Sequence, residues 1–183
     1  MVGRSLLPSQ PDVHVLATVL IPFGAARASI RPVVARDAAL FARLDTLMFR
    51  YEQPEEQMWG VDFARGFKFD WWALGGRADG WGREVRTLMT KQGLRPSQRS
   101  IPRFLRHNAV WSEDLCRVRL SSLYPVAIVT PHGEWEQCSE TLMNSFGQMT
   151  ARERKAQVAW LRRIRRLMHA YPGCLAIAVD YHC

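Results

Sequence analysis

The chain has no Cys-x-x-Cys pair. Its four cysteines stand apart at positions 116, 138, 174 and 183, so a zinc ribbon or a thioredoxin-type redox site has nothing to build on. Unclustered thiols suit a reducing compartment, and a cytoplasmic location is the expectation. Cys116 and Cys174, set in apolar runs, read as small core residues. A membrane span is missing too, since about 20 consecutive apolar residues are needed. The longest run, Val13 to Ala26, is broken by His14, Pro22 and Gly24. A secretion signal would use Arg4 as its charged start and Ala26-Arg27-Ala28 as its cleavage site. The polar Ser9-Gln10-Pro11-Asp12 separates that charge from the apolar run, and Val13 to Ile21 is rich in β-branched residues. A first core strand is therefore expected there. Lysine is scarce, at 3 against 22 arginines, which in part reflects a GC-rich genome.

What is present is a chain of 183 residues, 48% of them apolar, which is ample for one core. Wholesale disorder and a disulfide-stapled miniprotein are excluded, and a single domain over 1–183 is expected. The net charge of +8 is unevenly placed. Residues 1–82 are neutral, residues 83–120 carry +6, and residues 121–183 carry +2 with all their cations between Arg152 and Arg166.

Apolar periodicity supplies the elements. After the strand over Val13 to Ile21, a helix from about Val33 to Arg50 repeats Leu40, Leu44, Leu47 and Met48 on one side. Lys68 to Leu74 reads as an aromatic strand ended by glycines. Arg83 to Gln92 reads as a short helix stopped at Gly93, and residues 94–108 as a basic loop. Tyr124 to Thr130 is a third strand, turning through Pro131-His132-Gly133 into a hairpin. Thr150 with Glu153 forms a capping box that opens the last helix, which Pro172-Gly173 stops before a strand over Leu175 to Asp180. The pattern predicts an α+β fold, a mostly antiparallel sheet packed by helices on one face, with a ferredoxin-like variant as the nearest named architecture.

The most distinctive segment is Phe69-Asp70-Trp71-Trp72-Ala73-Leu74-Gly75-Gly76-Arg77. Paired glycines let backbone approach a partner closely, and N–H groups beside a guanidinium suit a phosphate. Trp72, Gly75, Gly76 and Arg77 are accordingly candidate ligand-binding residues. The structural alternative is an aromatic core strand ending in a turn, with Arg77 paired to Asp70 or Asp79. No Lys-Ser/Thr follows the glycines and their spacing is not G-x-G-x-x-G, so no cofactor is expected.

Asp180 and His182 project from one face of the closing strand, and a carboxylate beside an imidazole can orient a general base or share a metal. With Asp70 they are the candidate catalytic residues; polar residues at a fraying strand end are the plainer alternative. His132 and Glu134 join them only if the hairpin adjoins the last strand. No metal site is predicted on spacing alone. A third candidate is nucleic-acid binding by Arg154, Lys155, Arg162, Arg163 and Arg166 on the last helix. Arg99, Arg103 and Arg106 in the basic loop would add to it, with Trp111 as an exposed stacking aromatic. Against this stands an ordinary solvated helix face, and no helix-turn-helix, RNP or zinc-finger pattern accompanies the cations.

The aromatic-glycine segment resembles the W-D-W-Y-x-x-G-G-R-W signature of an uncharacterised family of bacterial, phage and other mobile-element proteins. That family also carries an early apolar strand, a P-Y-D-E-like segment, a T-P-D-G-E-W-H-E hairpin and a terminal D-C-H. The counterparts, in the same order, are Val13 to Ile21, Arg50-Tyr51-Glu52, Thr130-Pro131-His132-Gly133-Glu134-Trp135-Glu136 and Asp180-Tyr181-His182. Ala78 replaces the Trp after the Arg, His132 the Asp of the turn, and Glu136 the His that follows the hairpin Trp. The resemblance implies a mobile-element origin and no settled activity.

Two functions of different class follow. One is a phage or mobile-element binding protein whose basic surface engages nucleic acid or a nucleoprotein, for example to block a host defence complex. The alternative is a small enzyme or sensor for a phosphorylated ligand such as a nucleotide, using Arg77 with Asp70, Asp180 and His182. An adaptor that docks proteins through exposed Trp residues is a blander third. No membrane partner is expected.

Overall fold

The computed structural model describes residues 14–23, 33–54, 61, 63–75, 80–97, 101–120, 123, 125–139 and 149–182. Two nine-residue strands, β1 (His14–Pro22) and β6 (Cys174–His182), pair antiparallel along their whole length, from His14 opposite His182 to Pro22 opposite Cys174. Residues 174–181 of β6 are all buried, as expected for a strand with cover on both faces. β2 (Trp71–Leu74) and β3 (Ala109–Trp111) both add antiparallel to the outer side of β6. On the other side β4 (Ala127–Val129) lies parallel to β1, and β5 (Trp135–Gln137) forms a hairpin with β4. The strand order is β2-β6-β1-β4-β5, with β3 also on β6.

The α+β class and the mostly antiparallel sheet are as the sequence predicts. The placement of the helices departs from it. Side chains alternate across a strand, and both faces of β1 and β6 are apolar. Ala17, Val19 and Ile21 join Leu175, Ile177 and Val179 in a core with Leu40, Leu44, Leu47 and Met48. Those four belong to α1 (Val33–Phe49). Leu20, Ala176 and Ala178 share the opposite core with three other helices. These are α2 (Trp81–Lys91), α3 (Ser112–Arg117) and α4 (Ala151–Ala170). Helices therefore cover both faces, because two doubly apolar central strands need burial on each. Six strands with two sharing one edge also exceed the β-α-β-β-α-β unit of a ferredoxin-like fold. The capping box forms: Glu153 N–H donates to Thr150 Oγ1 at 3.2 Å, and Thr150 N–H to the Glu153 carboxylate at 2.5 Å. Trp111, read from sequence as an exposed stacking aromatic, is instead 2% exposed in the core, 5.5 Å from the Phe23 ring. None of the helices among the described residues is long and apolar enough to cross a membrane.

Cys116, Cys138 and Cys174 are free thiols. Desolvation pushes each up from an ordinary 9.0 to about 11, with Glu113 adding to the rise at Cys116 and Cys174. The unfolded chain releases these protons near pH 9 and the folded chain near 11, so the folded state binds more protons between the two. Stability is then full below pH 9 and falls as pH rises toward 11. Cys138 and Cys174, 4% and 3% exposed, are each expected to contribute on the order of 2 kcal/mol to that fall. A urea midpoint followed from pH 8 to 11 in wild type and in Cys138→Ala/Cys174→Ala measures it. An equal slope in both proteins would refute the assignment.

Candidate active site

Register builds the site. Because β1 begins where β6 ends, His14, His182 and Trp71 lie in one row across β1, β6 and β2. The next row inward on the same face is Leu16, Asp180 and Ala73. Asp180 and His182 alternate with Val179 and Tyr181, so they share the face of Ala176 and Ala178. Trp72 and Leu74 pack against the α1-side core, which turns Trp71 to the same face as the two histidines.

Each imidazole faces a carboxylate through the same ring nitrogen. His14 Nδ1 lies 3.1 Å from Asp180 Oδ2, and His182 Nδ1 lies 2.7 Å from Asp70 Oδ1. The first contact is a diagonal across the β1–β6 ladder, within reach of a long side chain. The second crosses from the residue just before β2, which Asp70 N–H fixes by donating to His182 O at 3.1 Å. The two ring centroids are 5.7 Å apart. Trp71 completes the row, edge-on to His14 at 5.3 Å and stacked on His182 at 5.5 Å and 11°. The pairs differ in solvation. Asp180 keeps 4% of its side-chain exposure and Asp70 42%, while His14 and His182 keep 14% and 22%.

A carboxylate at Nδ1 favours the tautomer with its proton on Nδ1, which leaves Nε2 as the basic nitrogen of the neutral ring. Two such rings side by side suit paired proton transfer, one taking a proton while the other gives one. Among the described residues no group of three or more His, Cys, Asp and Glu is arranged to hold a metal ion.

Asp70, Asp180 and His182 are thus brought together, and His14 joins them. His14 stood in the sequence only as an interruption of an apolar run, and its one signal was being the sole ionisable residue there. Trp72 lies on the other face, its ring 6.0 Å from Phe41 of α1. Gly75 ends β2 with φ +81°, and its N–H donates to Ala178 O at 3.3 Å. A Cβ there would meet the Asn108 amide at 2.7 Å. Gly76, Arg77 and Arg99 lie outside the described residues.

The hairpin turn does not reach this cluster. His132 lies at the opposite end of the sheet, 5.8 Å from the Tyr171 ring just before β6 begins, and roughly 26 Å along the strands from His182. Glu134 is bound within its own turn, accepting from Thr130 Oγ1 at 3.2 Å. On α4, Arg154, Lys155, Arg162 and Arg166 are exposed, but Arg163 is clamped to Glu136 by two hydrogen bonds, Nε at 3.1 Å and Nη2 closer. Arg103 and Arg106 are exposed at a one-turn helix before β3. An apolar groove between α3 and α4, about 490 Å³ and lined by Leu115, Leu120, Val158 and Leu161, also lies away from the histidines. Compared with protein-family models, curated proteins and solved structures, the chain finds no match.

Proposed function

We propose that the chain is an acid–base enzyme for a phosphorylated ligand of the nucleotide or nucleic-acid class. His14 and His182 exchange protons with the ligand, and Asp180 and Asp70 hold their rings. The doubled Asp–His pair on one strand row carries this reading, since two oriented imidazoles 5.7 Å apart are more than either core strand needs for stability. Three further features support an anionic, base-bearing ligand. The net charge is +8. Trp71, 40% exposed beside both rings, offers a stacking surface. The segment Gly75-Gly76-Arg77 follows β2 directly in sequence and would supply phosphate contacts. Free thiols at Cys116, Cys138 and Cys174 support a cytoplasmic setting.

A second reading rests on α4, where Arg152, Arg154, Lys155, Arg162 and Arg166 are exposed along one helix. There the protein is a mobile-element factor that binds nucleic acid or a nucleoprotein through this surface, including one that obstructs a host defence complex.

Thermal unfolding at low salt with nucleoside phosphates and short oligonucleotides separates the two. Binding to the folded state raises Tm. The enzyme reading expects a rise of a few degrees that Trp71→Ala and Arg77→Ala each diminish. No shift with any such ligand would refute it. A shift confined to oligonucleotides, lost in a variant with Arg154, Lys155, Arg162 and Arg166 neutralised but intact in Trp71→Ala, would favour the binding surface.

A further inference from the structure

We infer that the substrate class is single-stranded RNA, cleaved by transfer of the phosphodiester to its own neighbouring 2′-hydroxyl; this rests on the enzyme reading above. Two imidazoles with Nδ1 committed to carboxylates provide one base and one acid. RNA transesterification requires just that pair. One Nε2 takes the proton of the 2′-hydroxyl, and the O2′–P bond forms as the P–O5′ bond breaks. The other ring, entering the step as its imidazolium, delivers its Nε2 proton to the departing 5′-oxygen and becomes neutral. The products are a 2′,3′-cyclic phosphate and a 5′-hydroxyl, with no change of oxidation state and no second reactant. The nucleophile is carried by the substrate, so its position is set by binding alone.

The adjacency of the rings suits action on a single phosphate. The attacking and leaving oxygens lie on opposite sides of phosphorus, and each must come within about 2.6–3.2 Å of its nitrogen. Ring centroids 5.7 Å apart and edge-to-face put the two imidazoles in contact, so a phosphate bound beside the pair lies within reach of both. Trp71 points to the single-stranded form. Unstacked bases bind RNA-reading proteins by lying on aromatic rings, which a duplex does not permit. Trp71 is 40% exposed and packs against both imidazoles, so a base stacked there sits beside the reacting phosphate. The exposed cations of α4 add the sequence-independent attraction a polyanion needs.

The test uses a single-stranded RNA oligonucleotide, its all-DNA counterpart, and a chimaera with one 2′-deoxy sugar at the preferred linkage, each in excess EDTA. The expected result is RNA cleavage leaving 2′,3′-cyclic phosphate and 5′-hydroxyl ends by mass spectrometry. The deoxy linkage is expected to be cut at least 100-fold more slowly, and His14→Asn/His182→Asn protein purified in parallel is expected to be inactive. Intact RNA after prolonged incubation with folded protein overturns the inference. So does equal cleavage at the deoxy linkage, or equal cleavage by the double variant. If RNA stays intact while nucleoside phosphates still raise Tm through Trp71 and Arg77, the RNA assignment falls and the enzyme reading survives. If the Tm response is absent too, both fall.

Discussion

The double substitution His14→Asn/His182→Asn is expected to lower turnover by about 10²- to 10⁴-fold while leaving the protein folded. That factor is the usual contribution of a positioned general acid or base. The two rings act on one proton relay, so each single variant is expected to lose nearly as much as the double. Asparagine keeps an amide that can donate to the facing carboxylate, and both rings touch solvent at 14% and 22% exposure, which limits the cost to stability. The carboxylates are expected to behave unequally. Asp180, at 4% exposure, holds its ring in a nearly dry setting, whereas Asp70 at 42% competes with water. Asp180→Asn should therefore cost more in kcat than Asp70→Asn, with KM little changed in either. Steady-state kinetics with a melting curve for each variant decides the matter. Turnover within threefold of wild type in the double variant would end the case for this site.

The second large effect concerns Gly82 on the first turn of α2. A Cβ placed there would sit 2.6 Å from the Ala109 carbonyl oxygen and 2.8 Å from its nitrogen. Both are backbone atoms of β3, which pairs with the centre of β6, so they cannot swing aside as a side chain would. The helix is equally constrained. Trp81, Val85 and Met89 are buried, and Gly82 N–H itself donates to His107 O at 2.8 Å. In isolation Gly→Ala favours a helix by about 1 kcal/mol. Here overpacking, usually about 1–3 kcal/mol, opposes that gain, and the rigidity of both partners places the net loss at the upper end of the difference, about 2 kcal/mol. Gly82→Ala is thus expected to lower the urea midpoint sharply. Stability within 0.5 kcal/mol of wild type would show that β3 can yield.

Local signals in the sequence are strong enough to read. The 3- and 4-residue stripe of Leu40, Leu44, Leu47 and Met48 gives α1 its buried face, and Thr150 with Glu153 marks the start of α4. Asp180 and His182 are legible as a same-face pair because period two is a property of one strand. The rest depends on partners distant in sequence. His14 meets Asp180 only through the register of β1 on β6, 166 residues apart, and no local pattern encodes that register. β3 is three residues long and follows a basic loop, too short for periodicity to register. The burial of Trp111 follows from it, since the pairing of β3 with β6 brings that ring into the core. Which face α1 covers was likewise hidden, because residues alternating on a doubly apolar strand look alike from both sides.

The position of β6 bears on how the protein is made. It is the last strand in sequence yet lies between β1 on one side and β2 and β3 on the other. While a ribosome is still extending the chain, β1 emerges with its main partner about 160 residues behind it. At roughly 5–20 residues per second, that interval is about 10–30 seconds, during which the edge of β1 that pairs with β6 lacks its native partner. An unpaired strand edge is a template for pairing with another chain, and β1 presents one over that interval. The imidazole row cannot form before β6 has emerged, because Asp180 and His182 both lie on it.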